Sequence, residues 1–135
     1  MKAMVLNKLR SLEENNTPLE LTSMPHTEPG EKEILIKVSA CGICHTELDE
    51  IEGRTPPPHL PIVLGHQVVG KVEETGGNTS TFEIGNRVGI GWIYSSCGKC
   101  RFCREGYENL CNDFRATGRD NNGGYAEYMT VSEDF

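Results

Sequence analysis

The chain is 135 residues long and sets 13 Lys and Arg against 20 Asp and Glu, for a formal net charge of -7. That balance excludes the clustered basic footprint of a nucleic-acid binder, and no apolar run approaches the roughly 18 residues needed to span a bilayer. A single domain of this size buries about two thirds of its unfolded surface, so a core can form without help from a metal.

Met1 to Leu6 run directly into a strand-like pattern with no apolar signal-peptide core, so the protein is expected to be cytoplasmic with reduced cysteines. His26, beside Pro25 in a turn-rich segment, reads as a surface residue. Glu33 to Ala40 (E-I-L-I-K-V-S-A) is rich in branched residues with partial alternation and predicts a strand. Around His45 to Glu52, Leu48 and Ile51 stand three apart and Gly53 can stop the turn, which predicts the one short helix that is distinct in the sequence. Pro56-Pro57-Pro58 and His59 read as a stiff loop with no chemical role. Val68 to Glu73, Arg87 to Ile90 and Tyr125 to Val131 predict further short strands. Gly76-Gly77-Asn78, Gly85-Asn86 and Asn121-Asn122-Gly123-Gly124 supply the turns between them, because glycine and asparagine accept positive φ. The expectation is one mainly β domain over residues 1–135, a partly open β-barrel with long loops and few short helices.

Cys97, Cys100, Cys103 and Cys111 stand at C-x2-C-x2-C-x7-C within a polar run, a loop lobe over about residues 95–113. Zn²⁺ prefers four thiolates in a tetrahedron, two-residue gaps let successive sulfurs turn inward, and the longer gap closes the set. An iron–sulfur run would close with a three-residue gap and a proline, whereas here the gap is seven and Asn112 follows. Disulfides would need an oxidising compartment. The quartet therefore predicts a structural zinc site.

A second constellation lies upstream. Cys41-Gly42-Ile43-Cys44-His45-Thr46-Glu47 closes a strand, and Leu64-Gly65-His66-Gln67-Val68-Val69-Gly70 opens another about twenty residues later, so Cys44 and His66 can meet at one end of a barrel. Spacing alone leaves this open: strand-end cysteines are often buried as small hydrophobes, core histidines are often simply hydrogen-bonded, and two ligands do not complete a zinc sphere.

The order C-G-I-C-H-T-E, P-I-V-L-G-H-Q-V-V-G-K-V, I-G-N-R-V, the cysteine lobe and G-G-Y-A-E-Y resembles the N-terminal catalytic domain of the zinc-dependent medium-chain alcohol dehydrogenases over nearly the whole chain. The resemblance implies a GroES-like barrel with a structural zinc lobe and most of a catalytic zinc site. It implies Cys44 and His66 as catalytic zinc ligands and Thr46 as the hydroxyl that meets the substrate oxygen and starts a proton relay. Glu47 would orient the histidine, His45 would approach the cofactor phosphates, and Trp92 would line the alcohol pocket. The implied partners are a small alcohol or aldehyde substrate and NAD or NADP, in an enzyme that forms a homo-oligomer.

Two departures stand out. Gln67 replaces the glutamate that the family commonly places after the histidine, so that position beside the ligand carries no negative charge. Cys41 matches no ligand and reads as a packed thiol. The family's third protein ligand and its nucleotide-binding Rossmann domain lie beyond the matched region, and Gly89-Ile90-Gly91 is followed by Trp92, Ile93 and Tyr94 without the third glycine of a dinucleotide fingerprint. The chain alone is therefore expected to lack activity and to hold its catalytic metal weakly; the alternative is a zinc-stabilised binding module without catalysis.

Overall fold

A computed structural model describes all 135 residues. In chain order the strands are β1 (Lys2–Leu6), β2 (Glu20–Ser23), β3 (Glu33–Cys41), β4 (Ile62–Val63), β5 (Val68–Thr75), β6 (Arg87–Ile90), β7 (Ile93–Ser95), β8 (Arg115–Ala116) and β9 (Tyr128–Ser132). Two helices, α1 (His45–Glu52) and α2 (Arg101–Arg104), and a 3₁₀ turn over Glu108–Leu110 complete the set. The architecture is mainly β, as expected.

β3 is the organising strand. It pairs antiparallel with β5 on one side and β9 on the other, in a four-stranded sheet ordered β6-β5-β3-β9. Strand β5 alternates as a half-buried strand should: Val68, Gly70 and Val72 face inward while Val69, Lys71 and Glu73 face out. Val68 and Val72 join Ile34, Ile36, Val88, Ile90, Met129 and Val131 in the main core cluster. Gly70 is required where the strands close up, since a Cβ there would lie 2.4 Å from Ile36 and 2.5 Å from the Lys37 carbonyl. A three-stranded sheet, β2-β1-β4, lies against the segment before β9 through backbone bonds such as Met4 N–H to the Tyr125 carbonyl at 2.7 Å. These joints wrap the sheets into a partly open barrel.

Helix α1 has the bounds expected of it. Gly53 closes it at φ 79, and Ile51 plugs a second cluster with Leu6, Ile62 and Leu64. The final strand begins at Tyr128 rather than Tyr125, because residues 123–125 donate their N–H groups to Val63, Gly65 and Leu64 instead of to β3. The cysteine lobe adds two short helical pieces that the sequence does not announce. Cys100 to Cys103 makes a single turn, with Arg104 N–H donating to the Cys100 carbonyl at 3.1 Å, so sulfurs three apart fall on one side. Strands β2, β4, β7 and β8, of two to four residues, also lay below the resolution of sequence pattern.

Candidate metal centre

The N-terminus of α1 is capped by Cys44, whose extended backbone (φ -128, ψ 178) lets its sulfur accept the Thr46 N–H at 3.3 Å. The Glu47 carboxylate reaches back to accept the Cys44 N–H through Oε2 at 2.8 Å, completing a reciprocal capping box. A thiol is unusual in a position normally held by Ser, Thr, Asp or Asn. Its consequence is a sulfur fixed at the positive end of a helix, where negative charge is favoured.

His66 is brought to this sulfur by the turn before β5. Gly65 adopts φ 98, and a Cβ there would lie 2.7 Å from Tyr125 and 2.8 Å from the Cys41 sulfur, so only glycine lets the chain pass. The buried imidazole then places Nε2 3.5 Å from the Cys44 sulfur and Nδ1 2.9 Å from Glu47 Oε1. That second contact is close yet off the ring N–H axis, since neither atom makes a well-directed hydrogen bond. The ligand-capable atoms of Cys44, Glu47 and His66 all lie within 4.8 Å of one another. With Glu47 on Nδ1, Nε2 is the nitrogen turned toward the thiol, the arrangement in which a carboxylate orients a metal-binding histidine.

The other candidates fall around this core. Thr46 is half-buried, and the helix cap is the Cys44 sulfur rather than the threonine hydroxyl. His45 is exposed, with Nε2 3.5 Å from Asp49. Gln67 is exposed too, and its side-chain amide folds over Gly42. Trp92 meets the His66 ring edge-on, with centroids 4.7 Å apart, and lies 6.4 Å from Phe114. Cys41 packs its sulfur against Gly65 and Gly124, and burial pushes its thiol pKa up.

Two neighbours lie outside the set of expected site residues. Glu50, one turn after Glu47, is fully buried with neither carboxylate oxygen hydrogen-bonded. Burial first and the nearby Glu47 charge second push its pKa to about 8. Arg119 reaches the Trp92 ring from 27 residues further along the chain. A helical wheel of α1 would have placed Glu47 and Glu50 together; no local pattern marks Arg119.

The cysteine lobe forms a separate cluster. The sulfurs of Cys97 and Cys103 are 3.9 Å apart and those of Cys100 and Cys103 are 3.5 Å apart, with all four within 4.8 Å of one another. A zinc tetrahedron with bonds of about 2.3 Å has edges of roughly 3.8 Å, so the quartet fits the ion. Main-chain N–H groups already point at sulfur, from Cys100 to Cys97 at 3.3 Å and from Asp113 to Cys111 at 3.3 Å. Backbone donors at Lys99 and Cys100 pull the Cys97 thiol down to about 6, toward the thiolate that a metal needs.

An open apolar groove of about 560 Å³ borders the first cluster, lined in part by Leu19, Leu21, Cys41, Ile43 and Tyr125. Ile43, immediately before Cys44, is 79% exposed.

Residues 30–135 match the family described as alcohol dehydrogenase GroES-like domain. The chain is 38% identical over 136 residues to an alcohol dehydrogenase of Geobacillus stearothermophilus, covering all of this chain and 39% of that protein. It is 38% identical over 129 residues to cinnamyl alcohol dehydrogenase 8 of Arabidopsis thaliana, covering 90% of this chain and 36% of that one. Among solved structures, an NAD-dependent alcohol dehydrogenase superposes with a TM-score of 0.89 at 33% identity, over 98% of this chain and 38% of that chain. A cobalt- and zinc-bound thermostable alcohol dehydrogenase from Pyrobaculum aerophilum gives 0.87 at 28% identity, over 98% and 39%. The chain thus spans under two fifths of these relatives' length.

Proposed function

Since the chain belongs to the family of alcohol dehydrogenase GroES-like domains, we propose that it is the catalytic-domain portion of a zinc-dependent alcohol dehydrogenase. The intact enzyme would oxidise a simple alcohol to an aldehyde or ketone and pass hydride to NAD or NADP. The observation that carries this reading is the Cys44 sulfur 3.5 Å from His66 Nε2, with Glu47 against the other ring nitrogen.

In this reading Cys44 and His66 hold the catalytic zinc, and the nucleotide-binding portion and a third protein ligand belong to the part of the enzyme that this chain does not span. Zinc bound there would supply a Lewis acid that makes the alcohol proton easier to lose, and the nicotinamide would accept the hydride. The chain's own residues do the positioning. Helix α1 fixes the Cys44 sulfur by its cap, and Glu47, lying against Nδ1, favours the ring orientation in which Nε2 faces the sulfur. Thr46, whose hydroxyl is not used in capping, receives the alcohol proton and passes it outward, and exposed His45 next to it faces the cofactor phosphates. Trp92 closes the substrate side, while the groove beside Ile43 is apolar surface for the rest of the enzyme to cover. Cys97, Cys100, Cys103 and Cys111 hold a structural zinc. The whole enzyme would be a cytoplasmic homo-oligomer.

The test is Cys44→Ser in the enzyme assembled with its nucleotide-binding portion. Alcohol oxidation should vanish while the cysteine lobe keeps its zinc; retained turnover would overturn the assignment.

A further inference from the structure

Arg119 belongs to neither cluster, yet it is fastened to one. Its side chain is 29% exposed and donates to Asp120 Oδ2 twice, from Nε at 3.2 Å and from Nη2 at 2.8 Å. The same oxygen accepts the Ala116 N–H at 2.6 Å, and Thr117 N–H donates to the Trp92 carbonyl at 3.0 Å. The turn that carries Arg119 is therefore tied to the backbone of Trp92. From there the guanidinium lies over the Trp92 ring, 5.8 Å from its centroid, where the ring quadrupole attracts a cation. Trp92 in turn abuts His66 at an interplanar angle of 76°.

His66 needs a second constraint. The χ2 torsion of histidine is broad, and the Glu47 contact lies off the N–H axis, so it does not by itself fix the rotation of the ring. We propose that Arg119 is a positioning residue of the candidate metal centre: anchored by Asp120, it pins the Trp92 ring edge-on to His66, so the imidazole is held by Glu47 at one nitrogen and by Trp92 at its flank. The consequence for metal binding rests on the reading of Cys44 and His66 given above, whereas the Trp92 arrangement does not depend on it.

Trp92 is the one tryptophan of the chain, so its fluorescence reports on the surroundings of this ring. Arg119→Met should shift Trp92 emission and increase its quenching by acrylamide. The stacked and released ring populations should change by about two- to fivefold, the factor implied by a cation–π contact at a half-exposed site. Arg119→Lys should restore part of the wild-type signal, and Asp120→Asn should move it in the same direction as Arg119→Met. In the assembled enzyme, cobalt affinity at the Cys44 and His66 site should fall about tenfold, the low end for loss of an outer support. If Arg119→Met does not fold, Arg119→Gln takes its place. Wild-type emission and quenching in a folded Arg119 variant would overturn the proposal. A Trp92 response with cobalt binding at the Cys44 and His66 site unchanged would overturn the positioning role, whereas wild-type enzyme that bound no cobalt there would count against the metal-site reading.

Discussion

The two cysteine-containing clusters reach similar compactness by opposite routes. In the lobe, four ligands come from 15 consecutive residues, Cys97 to Cys111, three of them only half-buried, and no large apolar side chain of the lobe is buried. At the α1 end, Cys44 and His66 are 22 residues apart and are joined by a helix cap, a strand and a left-handed glycine turn. The first cluster has little packed core of its own and, in the proposed reading, depends on the ion it would hold, whereas the second is held chiefly by the core behind it. Metal removal and mutation should therefore act differently on the two.

The largest expected effect is on the lobe. Structural zinc contributes on the order of 10 to 16 kcal/mol in small zinc peptides, and nothing in the lobe's packing can replace that. Cys100→Ser, or chelation, should release zinc and raise amide exchange across residues 96–113, while Ile34 to Ile36 in the first half of β3 stay protected. Native mass spectrometry counts the metal and hydrogen exchange locates the loss. If β3 opened together with the lobe, the separation of the two regions would be wrong.

Next comes Glu47→Gln, which keeps the shape of the capping box and removes the charge facing His66. Losing an outer-shell carboxylate of this kind lowers metal affinity by about 10- to 100-fold. Cobalt titration of the assembled enzyme should show that loss at the Cys44 and His66 site, with the lobe's metal unaffected. Equal loss at both sites would mean that they communicate.

The same contrast explains what the sequence disclosed. The lobe was legible because its ligand geometry is local: gaps of two and seven residues are visible in the sequence, and only its helical turns escaped. Helix α1 was legible to the residue because Gly53 ends it and Leu48 and Ile51 face one way. Cys44 and His66 were legible as a pair mainly through the ordered motifs around them, since nothing in a 22-residue gap dictates a 3.5 Å approach. Glu50 and Arg119 were not legible. Burial of a carboxyl and the reach of a guanidinium over a ring 27 residues away depend on how the 116–125 segment folds back, and that is set by backbone bonds to Leu64, Gly65 and Trp92.

Glu50 offers a pH-dependent test of the core-held region. Its folded pKa, about 8, lies above the unfolded value near 4.3, so between these values the folded, metal-free chain binds more protons than the unfolded chain. Stability should fall as pH rises from about 5 to 8, and Glu50→Gln should flatten that slope while leaving the acid side unchanged. Thermal unfolding of the metal-free chain across this range is the measurement. An unaltered slope in Glu50→Gln would show that the buried carboxyl is stabilised by something other than its own protonation.

The smallest effect is expected at the opposite end of the barrel, where Glu133 Oε2 accepts the Ser80 and Thr81 N–H groups at 2.8 Å each. Those two backbone donors hold its pKa below the ordinary carboxylate range, the reverse of Glu50. Its contribution is present above the unfolded pKa near 4.3 and lost as pH falls through the lower folded value. Glu133→Gln should therefore weaken the chain modestly at neutral pH, and that deficit should shrink as pH falls through the lowered folded pKa. The two variants thus bend the stability profile on opposite sides of pH 4.3, Glu50→Gln above it and Glu133→Gln below it. A Glu133→Gln deficit that stayed undiminished as the pH was lowered into the acid range would mean that the 80–81 turn depends on side-chain packing rather than on the carboxylate's charge.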